Sequence, residues 1–395
     1  MGMGITLVVN PGSSSKKYAL YVDGQAALEW RFEQAASGFE VCERRIGATQ
    51  TCEPIKRSAF QDSFARVKEE TTNYLKHLGA GRMLEAVVVR VVAPGSYFQS
   101  HRRVDEEYLA ALRAQETAAP LHIPSTLREL TGVRAQFAGV PIIAASDSAF
   151  HQAMPARARR YSIPAGDAAS FDLYRFGYHG LSVASVVRRL HPLIGQDPSR
   201  LVVCHIGSGT SVTAVRDGAS VATSMSYSPA SGVPMGSRAG DLDAAGLLQL
   251  MRQKRFRPLE AEVYLNTMGG LAGMSGDGDI RRLLDRRAQG DAEATTALET
   301  FVYHLQCRIA EMVVPLGGLE VIALTATAAV RSSELRELLL RGLSPLGVTL
   351  DPDRNAQYHS RDGVISASES AVKVVVIRTD EMGEMAQIAT TFLRE

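Results

Sequence analysis

A hairpin that occurs twice constrains this chain more than any other feature. Leu7 to Leu20 reads LVVNPGSSSKKYAL: an apolar strand from Ile5 runs into Asn10-Pro11-Gly12 and the polar run Ser13 to Lys17. A second strand, Tyr18 to Val22, then closes on Asp23-Gly24. Half a chain later, Leu201 to Ile206 runs into Gly207-Ser208-Gly209, and a strand ending at Val215 closes on Asp217-Gly218. Either copy alone is a β-hairpin with a polar turn. A Gly/Ser turn between strands lets backbone N–H groups and hydroxyls converge on an anion, and a lysine adds positive charge. The first turn lacks the GxxxxGK[ST] spacing and leads into a strand, not a helix, so it is not a P-loop. Two such hairpins with the same order of features point to an internal duplication, with a ligand held between the halves.

A length of 395 residues allows two domains, each able to bury a substantial core. The formal net charge of +1 gives no global field that would attract nucleic acid or an anionic membrane. Cys42, Cys52, Cys204 and Cys307 have no metal or CxxC spacing and read as small buried or half-buried thiols in a reducing compartment. No apolar run approaches the roughly 20 residues of a membrane span. The opening residues lack the basic flank and apolar core of a secretion signal. The expectation is a cytoplasmic protein that binds small molecules.

Between the hairpins, Leu28 to Phe32 reads as a third strand, and Ser58 to Gly79 as an amphipathic helix with Phe60, Phe64, Val67 and Leu75 on one side. Ala86 to Val92 is a buried strand interrupted only by Arg90, which reads as a ligand group or one half of a structural ion pair. Asp105 to Ala114 reads as a helix, and Ser125 as the cap of the next one. Pro141 to Ala145 is another buried strand, with Asp147 just past its end as a metal ligand, a base or a helix cap. The second half repeats this order, with helices from Asp241, Glu260 and Ala292, strands at Val321 to Leu324 and Val372 to Ile377, and a closing helix. Long glycine-rich loops at Ser224 to Asp241 and Gly269 to Arg281 mark functional segments.

These stretches together resemble the acetate kinase family, short-chain carboxylate kinases of the actin-like ATPase superfamily, nearly end to end. The opening turn is similar to that family's N-x-G-S-S-S-x-K segment through Asn10, Gly12, Ser13, Ser15 and Lys17. VVVRVV keeps an arginine as Arg90, PLHIP a histidine as His122, SDSAFHQAMP an aspartate as Asp147, FGYHG a histidine as His179 and MGSRAGD an arginine as Arg238. The resemblance implies an α/β fold of two duplicated RNase H-like lobes with mixed sheets and flanking helices, a cleft between them, and a homodimer. One lobe would span 1–149 with 379–395 and bind carboxylate, and the other 150–378 and bind the donor. The implied reaction is reversible phosphoryl transfer from ATP to acetate or a similar short acid, giving an acyl phosphate. Arg90 and Arg238 would clamp the carboxylate and the phosphoryl group, with His179 donating to the latter and His122 and Asp147 completing the catalytic set. Asn10, Asp147 and Glu381 would hold Mg²⁺ or Mn²⁺ largely through water. Val92, Leu121, Tyr178 and Pro229 match an acyl pocket, with tyrosine where the family has phenylalanine.

The departures concern the donor. The family's phosphate loop H-L-G-N-G is here His205-Ile206-Gly207-Ser208-Gly209, and Asp279-Ile280-Arg281 still resembles its ribose-side motif. Its T-A-G-I-G-E-N-S loop becomes Thr325 to Ser332, in which Thr327, Ala328 and Ala329 stand in the adenosine-binding segment. Thr327 and Ala329 add Cβ atoms where the family has none. Weakened adenosine binding is therefore expected. The alternatives are pyrophosphate as donor, or a ligand-binding homologue without catalysis, against which the retained Arg90, His179, Arg238, Asp147 and Glu381 argue.

Overall fold

In a computed structural model, the described residues are 4–12, 15–35, 38–79, 81–120 and 123–394, so Ser13, Leu121 and His122 lie outside them. The chain divides into two compact units, Met1–Ala149 with Asp380–Glu395, and Phe150–Thr379.

The first unit is built on strands β1 (Ile5–Pro11), β2 (Ser15–Val22), β3 (Gln25–Ala35), β4 (Gly38–Arg45), β5 (Thr51–Ile55), β6 (Ala86–Val91), β7 (Arg102–Arg103) and β8 (Ile142–Ser146). They form one sheet in the order β5-β4-β3-β2-β1-β6-β8-β7. The second unit carries β9 (Arg200–Ile206), β10 (Thr210–Arg216), β11 (Ala219–Thr223), β12 (Val321–Thr325), β13 (Gly363–Val364) and β14 (Lys373–Val376), ordered β11-β10-β9-β12-β14-β13. The duplication is thus a matter of topology. In the first sheet β1 is antiparallel to β2 and parallel to β6, and β6 is parallel to β8. In the second, β9 is antiparallel to β10 and parallel to β12, and β12 is parallel to β14. Each sheet also ends on a two-residue antiparallel strand, β7 or β13.

Strand periodicity sets the cores. Val202, Cys204 and Ile206 of β9 join one apolar cluster with the long helix Ala292–Leu316. Leu201 and Val203 join another with Val183, Val186 and Leu190 of the helix Gly180–Ile194. Both faces are therefore buried, as continuous Val-rich strands require, and each fully buried Leu or Val contributes roughly 1.5–3 kcal/mol. In the first unit Leu7, Val9, Val87 and Val89 face a cluster holding Trp30, Phe32 and Phe64. The closing helix, Glu381–Phe392, packs on β1, β6 and β8.

Three local expectations are corrected. The helix read from Ser58 is two, Arg57–Gln61 and Ser63–His77, because Asp62 leaves helical geometry with ψ 39°. Ser125 is not at the cap position, because the helix begins at Ile123 and places it in the first turn. The thiol reading fails for Cys42 and Cys52. The β4–β5 register sets them directly opposite, with Cα atoms 4.0 Å apart, and they form a disulfide, while Cys204 and Cys307 are free. Among the described residues no helix is long and apolar enough to cross a membrane.

Candidate active site

Four sequence-predicted residues meet in the first unit, each placed by a strand end or a helix start. Asn10 lies near the end of β1, Arg90 near the end of β6, Asp147 just after β8 and Glu381 at the start of the closing helix. Parallel β1, β6 and β8 bring their carboxyl ends together, which is where open α/β sheets bind ligands. Arg90 donates from Nε to Asp147 Oδ1 at 3.1 Å and from Nη2 to Oδ2 at 3.0 Å, a bidentate fork. Its Nη1 is held more weakly, 3.4 Å from Asn10 Oδ1 and 3.8 Å from Glu381 Oε2. Asn10 Nδ2 donates to Glu381 Oε2 at 3.1 Å. The Asp147 side chain is 2% exposed and that of Arg90 20%. Burial works against the Arg90 charge, but the carboxylates of Asp147 and Glu381 outweigh it and hold its pKa above the ordinary guanidinium value. The cluster therefore presents a fixed cation, with Nη1 as its least committed edge, beside two carboxylates and an amide oxygen.

The second unit brings together another set. His179 precedes the helix Gly180–Ile194 with φ 60°, in the left-handed region. Its Nδ1 lies 3.0 Å from Ser211 Oγ. A Cβ placed on Gly209 would lie 3.1 Å from His179 Nε2 and 3.4 Å from Arg238 Nη1, so the bare glycine lets the β9–β10 turn pack close to both. Arg238 also donates from Nη1 to the Pro229 carbonyl at 3.2 Å. The irregular loop that carries both is closed on itself by the pair Gly232 and Asp241. Tyr178 is buried, and its hydroxyl donates to the Tyr227 carbonyl at 2.5 Å. The extra oxygen relative to phenylalanine is thus engaged with backbone.

The other predicted positions are dispersed. Lys17 is exposed on β2 opposite Asn10, and Ser15 Oγ donates to Glu33 at 3.4 Å. His205 lies one residue before the end of β9, close to Gly207. Asp279 caps the helix Ile280–Ala288 and pairs with Arg281, which holds its carboxyl below the usual range, while the Ile280 side chain joins the core. Thr327 is exposed, but Ala329, expected to crowd a base, is fully buried in the core, and Ala328 packs against the same cluster. Only one of the two added Cβ atoms therefore remains available to crowd a base. Val92 is half-buried.

Two supporting histidines have no sequence signal. His151 is fully buried. Its Nε2 donates to the Tyr178 carbonyl at 2.9 Å and its Nδ1 lies 2.9 Å from Ser220 Oγ, which anchors the residue before His179. His101 Nδ1 accepts the backbone N–H of Ser146, adjacent to Asp147, at 3.1 Å. Burial pushes its pKa down to about 4.

The sequence profile of the Acetokinase family matches residues 5–387. The acetate kinase of Streptomyces avermitilis is 34% identical, over 96% of this chain and 95% of its own length. That of Deinococcus deserti is 35% identical, over 96% and 95%. Among solved structures, a propionate kinase from Francisella tularensis superposes with a TM-score of 0.87 at 28% identity, covering 98% of each chain. The acetate kinase of Porphyromonas gingivalis gives 0.83 at 26% identity, covering 99% of this chain and all of that one.

Proposed function

Because the chain belongs to the acetokinase family, we propose that it transfers a phosphoryl group from ATP to a short-chain carboxylate, forming an acyl phosphate and ADP. The observation that carries this reading is the half-buried Asn10–Arg90–Asp147–Glu381 constellation, a fixed cation with one weakly held edge at the carboxyl ends of parallel strands. The acceptor is already ionised near neutral pH, so no general base is required, and the protein's task is alignment and charge neutralisation. A carboxylate oxygen attacks the terminal phosphorus, the bond from that phosphorus to the bridging oxygen breaks, and the electron pair leaves on ADP. Arg90 orients the carboxylate through Nη1. His179 and Arg238 neutralise the charge developing on the transferred group, and the turn at Gly207 to Gly209 donates backbone N–H groups to donor phosphate.

The donor set of Asn10, Asp147 and Glu381 fits a hard divalent ion that keeps most of its water. When bound, Mg²⁺ or Mn²⁺ would neutralise charge on the donor phosphates. The burial of Ala329 favours ATP as donor, while exposed Thr327 is the feature that favours pyrophosphate. Acetate and propionate are the acceptors to test first, given the relatives' names. A homodimer is part of the same reading. The helix Ala244–Lys254 buries no residue, and Leu248, Leu259 and Val263 on it and its successor are exposed, a surface suited to a second copy.

The test is a screen of ATP, GTP and pyrophosphate against acetate, propionate and butyrate, with acyl phosphate trapped as hydroxamate. Product with ATP is expected, and no product from any pair would overturn the reading.

A further inference from the structure

The serines on either side of Asp147 are tied to one short segment of chain. Ser146 Oγ donates to the Phe98 carbonyl, and Ser148 Oγ donates to the same oxygen at 3.2 Å. Both serines are buried. The backbone here is held from two edges as well. On one, the Asp147 N–H donates to the carbonyl of Val91, the residue after Arg90, at 3.0 Å. On the other, strand pairing runs out. β7 is two residues long, with Arg102 and Arg103 opposite Ala144 and Ile143, and continuing that register would set Ser100 against Ser146. The chain has left the sheet by Ser100, which lies in a bend after the turn Ser96–Phe98. The Ser146 N–H that a longer strand would have satisfied goes instead to His101 Nδ1, at 3.1 Å. A backbone N–H can only donate, so this bond fixes the ring: Nδ1 carries no proton, and the neutral imidazole holds its proton on Nε2.

We propose that His101 is a positioning residue for Asp147: its imidazole stands in for a missing strand partner and fixes the end of β8, from which Asp147 forks onto Arg90. His101 acts through the Ser146 amide, not on the reactants. Without the acceptor a buried N–H loses its partner, and the strand end shifts to regain one. Displacing a group that aligns the reactants by about 1 Å can cost up to about 10²-fold in rate. This consequence for turnover rests on the proposed phosphotransfer.

Two full-length variants test this. His101→Asn keeps an acceptor, because its Oδ1 can take the place of Nδ1, and His101→Leu keeps the bulk without one. In His101→Leu, kcat falls roughly tenfold and KM for the carboxylate rises, while KM for the donor stays within about twofold. His101→Asn recovers most of both losses. Hydrogen exchange at the Ser146 amide reports the bond without turnover: it is at least about tenfold faster in His101→Leu and close to wild type in His101→Asn. Equal losses of kcat in the two variants would overturn the proposal, as would unchanged Ser146 exchange in His101→Leu. Should His101→Leu fail to fold, His101→Asn decides alone: wild-type exchange and kcat support the proposal, and faster exchange with lowered kcat overturns it. If the wild type makes no acyl phosphate, the functional reading fails, and the exchange rates still decide whether His101 holds the strand end.

Discussion

At the scale of single residues, the Arg90–Asp147 pair makes a demand that a surface ion pair would not. Asp147 is almost wholly buried, so removing its fork leaves a charge without compensation. Arg90→Ala should lower turnover by about 10³-fold or more, the range of arginine contributions to phosphoryl transfer, and destabilise the fold by about 3–5 kcal/mol. Arg90→Ala/Asp147→Asn should recover part of the stability in urea titrations and none of the turnover; no recovery would show that the buried charge is not the cause. His101 gives a pH signature. Its folded pKa lies near 4, below the ordinary value of 6.5, so its contribution is whole above about pH 6.5 and is lost as pH falls toward 4. Over that window the unfolded chain takes up a proton that the native one refuses, and stability declines by up to about 1.4 kcal/mol per pH unit. His101→Gln should flatten the slope of urea midpoint against pH between 7 and 4. Arg90 is legible in the sequence because it is the only charge in an apolar strand, and Asp147 because it ends one. His101 and His151 are not, because each serves backbone groups far along the chain or across a turn, and nothing in their own neighbourhood records it.

At the scale of elements, the doubled hairpin is legible because a strand, a Gly/Ser turn and an Asp-Gly turn are short-range signals. The β4–β5 extension is not, because its strands lie at the sheet edge and alternate among charged, exposed residues instead of apolar ones. Register, and with it the Cys42–Cys52 bond, follows from pairing that composition does not encode. The segment that delivers His179 depends on Gly177, whose φ is 77° and whose added Cβ would fall 2.7 Å from both the His151 ring and the Thr223 methyl. Gly177→Ala should therefore cost roughly 1–3 kcal/mol or more from the left-handed conformation alone. Through His151 it should lower kcat more than it raises KM. A variant with wild-type melting temperature and kcat would refute that account.

At the scale of the molecule, two sheets with one core topology follow from a sequence pattern used twice, and each carries part of the proposed site. The exposed Leu248, Leu259 and Val263 predict association through the second unit. Sedimentation should give the mass of two chains, and Leu248→Glu/Leu259→Glu should shift it toward one. A wild type that sediments as a single chain would remove the dimer from the reading.

The closing helix carries a consequence for synthesis. Asn10 and Glu381 hydrogen-bond across 371 residues, and the helix beginning at Glu381 seals β1, β6 and β8 of the unit that is translated first. While the ribosome is still reading the intervening unit, that first sheet waits with an apolar face uncovered and its buried arginine short of one carboxylate. The packing of that sheet is therefore complete only once this helix has emerged. Chains terminated before this helix should therefore leave an apolar face of that sheet exposed, which binding of a hydrophobic dye to a chain ending at Asp380 would detect.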